Sequence, residues 1–251
     1  VTLLEESLCK WFAKKIGFND SSGGIAASGG TLSNLNALIA ARNNAGLGSN
    51  PNSVLLISED AHSSFIKCIR IMGLDAANLV RIKTDNQGRM DVNNLRKSLD
   101  KCLIENKKIF AIVATLGTTV RGAIDPIKEI SEICKQRDIW LHIDGSIGGI
   151  FALSSIQIEG LNNINQANSI TINPQKIIGI TKTSSLLLVA NMNTLQKTFS
   201  TGLPYISSKE DIINRGEIGI QGSRPAEVIK LWLGLRFLGL NGIEDILKSS
   251  I

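Results

Sequence analysis

Aromatic residues make up only 4% of the 251-residue chain, tyrosine occurs once and histidine twice. The basic excess is small, 27 Lys and Arg against 22 Asp and Glu, and its members are scattered (Lys14, Lys15, Lys107, Lys108, Arg121, Lys135). The basic stripe with interleaved aromatics that marks a nucleic-acid surface is therefore missing. Apolar runs such as SLLLVA (185–190) fall far short of the ~20 residues needed to span a bilayer, and no charged-then-apolar leader opens the chain. The four cysteines (Cys9, Cys68, Cys102, Cys134) contain no CxxC pair, which argues against a zinc or redox site and for buried free thiols. Neither GxGxxG nor GxxxxGK[ST] is present, so dinucleotide and P-loop readings lack support. A Ser-His-Asp hydrolase finds no GxSxG elbow. These absences point to a cytoplasmic protein that contacts neither membrane nor nucleic acid and holds no metal.

What is present reads as an α/β domain. At 43% hydrophobic residues the chain can bury a sizeable core. Seven short apolar, β-branched runs recur between helical patterns: GGIAAS (23–28), VLLIS (54–58), LVRIK (79–83), FAIVATL (110–116), IWLHID (139–144), SITIN (169–173) and SSLLLVA (184–190). Helices are expected between several of them. LSNLNALIAARNNAG ends at Gly46, and DPIKEISEICKQRD opens with Asp125 as N-cap and Pro126 in the first helical position. This alternation implies a mostly parallel sheet. From Asn191 to Arg224 periodicity is weak, and a long loop is expected there. The chain begins at Val1 and runs at once into a helical pattern (Leu4, Leu8, Trp11, Phe12, Ile16), which suggests a fragment of a longer protein.

In parallel sheets, ligands gather beyond the carboxyl ends of the strands. The first such end carries Ser28-Gly29-Gly30-Thr31 before a helix, either a tight turn or a cup for phosphate. The second carries His62, which either satisfies its own surroundings or lies flat on an aromatic ligand. Gly117-Thr118-Thr119 offers hydroxyls to a ligand or to its own turn. In WLHID, His142 and Asp144 share a face, and a buried Asp144 needs a cationic partner such as a protonated ring nitrogen. Past SITIN and Pro174 comes Lys176, an amine where a merely buried charge would be unwelcome. An anion cup, a ring platform, a carboxylate for a ring nitrogen and an amine for an aldehyde are together what pyridoxal phosphate needs.

The stretches SGGTLSNLNALIAAR, SEDAHSSFIKCIRIMGL, ATLGTTVRGAIDPIKEISEIC, IWLHIDGSIGG and SITINPQK also occur in the order and spacing of the pyridoxal-phosphate-dependent group II amino-acid decarboxylases. The chain resembles that family from about Leu4 to Gly242. The resemblance implies the large domain of a fold-type I pyridoxal-phosphate enzyme, with a seven-stranded sheet covered by helices on both faces. It implies a homodimer acting on an L-amino acid, the glutamate or 2,4-diaminobutyrate branch being favoured by GGTLSN. It also implies that Gly30, Thr31 and Asn173 bind phosphate, His62 stacks on the ring, Thr119 lies near the cofactor and Asp144 pairs with the pyridine nitrogen. Lys176 would hold the aldehyde as a Schiff base. Tyr205 falls where the family has a mobile loop whose tyrosine returns a proton to the substrate carbon. Lys182 and Lys209 match no motif and read as surface charges. Two positions depart from the family: Gln175 stands where histidine is usual, and Asp144-Gly145-Ser146 replaces Asp-Ala-Ala. The family's members are also longer, with an N-terminal segment and a C-terminal small domain. Other lyases or aminotransferases of the same cofactor class, and a degenerate non-catalytic paralogue, are the alternatives.

Overall fold

The computed structural model describes residues 1–182, 184–202 and 214–251. Every run expected to be extended becomes a strand of one sheet: β1 (Gly23–Ala27), β2 (Ser53–Ser58), β3 (Leu79–Ile82), β4 (Lys108–Thr115), β5 (Trp140–Gly145), β6 (Ser169–Ile172) and β7 (Ser185–Val189). Their order across the sheet is β1-β7-β6-β5-β4-β2-β3. The strands from β3 to β6 pair in parallel, whereas β7 runs antiparallel to both β6 and β1. The carboxyl ends of β1, β2, β4, β5 and β6 consequently meet at one edge, where β7 begins.

Among the described residues seven α-helices surround the sheet: α1 (Thr2–Lys15), α2 (Gly30–Asn44), α3 (Ser64–Ile71), α4 (Val92–Ile104), α5 (Ile127–Arg137), α6 (Met192–Phe199) and α7 (Glu227–Lys248). Both faces are covered because successive side chains of a strand leave on opposite sides. Val54 and Leu56 of β2 and Ile112 and Ala114 of β4 cluster with α1, α4, α5 and α7. Leu55, Ile57, Ala111 and Val113 cluster instead with α2 and α3. All four cysteines are free and buried within these layers. Among the described residues, no helix is long and apolar enough to cross a membrane.

Two details differ from the sequence expectation, and a third lay outside it. Helix α5 starts one residue late, at Ile127, and Asp125 does not cap it. Its fully buried carboxylate instead accepts the backbone N–H groups of Met90 and Thr115, both at 2.7 Å. Two buried donors there outbid the helix end, and burial pushes the Asp125 acid up to about 6. The stretch after β7 is not loop throughout: Met192–Phe199 forms α6, with Leu195 buried against α2 and the outer strands. Finally, α1 is tied to the far end of the chain by Glu5, whose buried carboxylate accepts from Arg215, Arg224 and the Ala26 amide.

Candidate active site

At the shared edge of the strands lies a cavity of about 330 Å³, a size that suits a small ligand. Gly30, Thr31, His62, Thr119, Asp144, Asn173, Gln175 and Lys176 all line it. Tyr205, like Lys209, lies outside the described residues. The topology brings the others together from five loops, each leaving a different strand.

The first wall is the turn before α2. Gly29 has φ of 115°, a conformation essentially reserved for glycine, and it points the first amides of α2 at the cavity. Gly30 is required for a different reason. A Cβ there would stand 2.6 Å from Asn173 Nδ2 and 3.1 Å from Ser146 Oγ. The Asn173 amide is oriented by Ser185, whose hydroxyl donates to Oδ1, so the Nδ2 donor is left facing the turn. Gln175 is held in the same manner: Oε1 accepts the Ser184 amide at 2.7 Å, leaving its NH2 as a donor. Free helix amides, two side-chain amides and a glycine cradle make an anion site with no hydrogen-bonding carboxylate in it.

Asp144 stands at the end of β5, 5% exposed. Oδ1 accepts the Ser146 amide at 3.1 Å and Oδ2 accepts from Asn34 Nδ2 at 3.2 Å. A carboxylate has about four lone-pair positions, so acceptor capacity remains for a donor in the cavity. His142, two residues back on the same face, is fully buried, and burial pushes its pKa down to about 4. It is therefore a neutral ring at physiological pH and not Asp144's cationic partner. His62 is exposed, and its Nδ1 accepts the Ser64 amide at 3.2 Å, which fixes one ring nitrogen and leaves the imidazole to the cavity. Of the two threonines after β4, Thr118 is spent on its own turn, with Oγ1 accepting the Ala123 amide. Thr119 is the one that reaches the cavity.

Lys176 sits on the turn after β6, its backbone amide bonded to Asn173 O at 3.0 Å and its side chain exposed. β6 ends at Ile172, two residues before Pro174, and Lys176 lines the cavity from the turn that follows. A second lysine, Lys182, lines the same cavity. It is exposed, as a surface charge is expected to be, and also borders the cavity. It enters from the amino end of an antiparallel strand, where a rule about carboxyl ends does not look.

Do these residues fit pyridoxal phosphate? The glycine cradle suits its phosphate, and Asp144 has acceptor capacity for a ring N–H. The hydroxyls of Ser64 and Thr115, both lining the cavity, are buried and lack a hydrogen-bond partner among the described residues. Such unsatisfied groups are costly unless a ligand bonds them. Among the described residues no cluster of acidic, histidine or cysteine side chains could hold a metal ion.

The chain is similar to known proteins over nearly its whole length. Residues 1–251 match the model of the pyridoxal-dependent decarboxylase conserved domain. The chain is 32% identical over 252 residues to an aromatic-L-amino-acid decarboxylase of Bacillus atrophaeus, covering 99% of this chain and 52% of that protein. It is 32% identical over 262 residues to the human acidic amino acid decarboxylase GADL1, covering 99% and 50%. The crystal structure of mouse CSAD superposes with a TM-score of 0.90 at 30% identity, over 97% of this chain and 52% of that one. The chain thus spans about half the length of the curated relatives it matches.

Proposed function

From the premise that the chain belongs to the pyridoxal-dependent decarboxylase family, we propose that it is the cofactor-binding large domain of an enzyme that decarboxylates an L-amino acid. The observation that carries the reading is the convergence of Lys176, Asp144 and the Gly30 cradle on one cavity. In this account Gly30, Thr31, Asn173 and Gln175 hold the phosphate of pyridoxal 5'-phosphate, and Lys176 binds its aldehyde. Bound cofactor supplies a ring that accepts electrons as carbon dioxide leaves. Asp144 keeps the ring nitrogen protonated, since only the cationic ring is a strong acceptor. His62 covers one face of the ring and excludes water there, while Thr119 offers a hydroxyl beside it. Return of a proton to the α-carbon falls to His62 or to Tyr205, the latter assigned from the resemblance alone.

The substrate is assigned to the glutamate or diaminobutyrate branch. Within it, Lys182 favours an anionic side chain, because a cation on the cavity wall attracts a carboxylate and repels an ammonium. A cytoplasmic location is supported by four free thiols, which a reducing compartment preserves. A homodimer is supported by the apolar side chains that α7 leaves exposed, Trp232, Leu233 and Phe237 among them.

The test is a product analysis of the whole, cofactor-loaded protein over a panel of L-amino acids. Release of carbon dioxide that disappears in Lys176→Ala supports the assignment. Keto-acid formation without carbon dioxide would make the protein an aminotransferase, and no turnover on any amino acid would leave a binding domain that has lost catalysis.

A further inference from the structure

Behind Asp144 lies a row of buried polar side chains, drawn from three elements, that the reading above does not use. Trp140 Nε1 is 2.9 Å from Ser169 Oγ, and Ser169 Oγ is 2.8 Å from His142 Nδ1. His142 Nε2 is 3.1 Å from Asn34 Oδ1, and Asn34 Nδ2 is 3.2 Å from Asp144 Oδ2. Asn34, Ser169, His142 and Asp144 are all at most 5% exposed. A row of this kind is stable only if each donor meets an acceptor.

The direction of the row is fixed at its Asp144 end, and the Trp140 end is compatible with it. Indole N–H can only donate, so Ser169 Oγ accepts from Trp140 and its own proton is free for His142 Nδ1. At the other end the Asp144 carboxylate can only accept, so Asn34 must turn its NH2 toward Asp144 and its oxygen toward His142. That oxygen needs a donor, which places the imidazole proton on Nε2. The Asp144 end demands this tautomer, and the Trp140 end is compatible with it because Ser169 still has its own proton to give to Nδ1. Burial, which disfavours the imidazolium, keeps the ring neutral.

We infer that Asn34 and His142 are positioning residues, which lock the Asp144 carboxylate in one orientation toward the cavity through a hydrogen-bond chain running one way from Trp140. The inference rests on the reading of Asp144 as partner of the cofactor's ring nitrogen. With Oδ2 held by Asn34 and Oδ1 by the Ser146 amide, the carboxylate cannot rotate without breaking a buried bond. Its unused lone pairs therefore keep a fixed aim. The signal in the sequence was an asparagine inside a helix, four residues past Gly30, on a face that is otherwise buried.

Two measurements test this. The first needs no cofactor: solid-state NMR of the protein with ring-15N-labelled histidine, the His142 signals being identified by their loss in His142→Gln. The neutral Nε2–H tautomer is expected at pH 7. A Nδ1–H tautomer or an imidazolium would overturn the inference while leaving the decarboxylase reading intact. The second is Asn34→Leu in the cofactor-loaded protein, which removes the Asp144 bond at nearly constant volume. Borohydride should still attach the cofactor to Lys176, kcat should fall ten- to a hundredfold with KM little changed, and the midpoint of the absorbance-against-pH titration should move. Unchanged kcat and an unchanged midpoint would overturn the inference. Failure of the wild type itself to label Lys176 would count against the functional reading, with the NMR result standing apart.

Discussion

Replacing Gly30 by alanine separates the job of the cradle from the stability of the fold. The added Cβ would meet Asn173 Nδ2 at 2.6 Å and Ser146 Oγ at 3.1 Å, so Asn173 must move. Asn173 cannot move freely, because Ser185 holds its Oδ1 and Ser185 is in turn 2.9 Å from Ser33 Oγ. The backbone itself accepts alanine: Gly30 opens α2 without a positive φ, and alanine is the better helix former by up to about 1 kcal/mol. A displaced donor to a charged group costs about 1.5–3 kcal/mol. That corresponds to a loss of roughly 10- to 150-fold in affinity for a phosphorylated ligand. The assay is a spectroscopic titration with pyridoxal phosphate and with unphosphorylated pyridoxal, alongside thermal unfolding. The preference for the phosphorylated form should fall by that factor with Tm within a few degrees of wild type. A preference that survives unchanged would refute the placing of phosphate at this turn.

Other consequences follow from the same structure. Glu5→Ala leaves the guanidinium groups of Arg215 and Arg224 buried without their carboxylate, which should cost about 3–5 kcal/mol. In urea denaturation the midpoint should drop by 1 M or more at a slope of about 3 kcal/mol per molar, and a drop below a third of that would count against a strained removal. Asp125, raised from 3.8 to about 6 by burial, takes up its proton earlier in the folded state than in the unfolded one. Its contribution is therefore present below pH 3.8 and lost as pH rises through 6. Relative to wild type, Asp125→Asn should lose roughly 2 kcal/mol more stability at pH 4 than at pH 7, and a difference that does not vary with pH would disprove the shift. Lys182→Ala should raise KM about three- to fivefold for an amino acid with an anionic side chain and leave kcat alone, the modest size reflecting an exposed cation. An unchanged KM would remove the argument for an acidic substrate.

Local rules carried the reading a long way. Each of the seven strands announced itself because a β-branched run between turn residues has few other stable conformations, and FAIVAT became a strand buried on both faces. That these residues line one cavity was legible for a related reason. In a parallel sheet the carboxyl ends coincide, so a residue one to four positions past each run is placed in three dimensions by topology alone. What escaped depended on partners remote in sequence. Asp125 looks like a helix cap from its neighbours, and only the packing of Met90 against the end of β4 supplies the donors that claim it. The pairing of Glu5 with Arg215 and Arg224 joins opposite ends of the chain. Asn34 gains meaning only when α2 is laid across His142 and Asp144. Helix α6 could have been found: Met192, Leu195 and Phe199 are spaced for one face, and Asn191 caps it by accepting the Asn193 amide.

Lys176, exposed on the wall of a cavity that also holds Asp144, is proposed as the amine that takes the cofactor. Incubation with pyridoxal phosphate, reduction by borohydride and peptide mapping by mass spectrometry put it to the test. A single stoichiometric adduct on Lys176, unaffected by removal of Lys182, is expected. An adduct on Lys182, labelling spread over surface lysines, or none at all would contradict it.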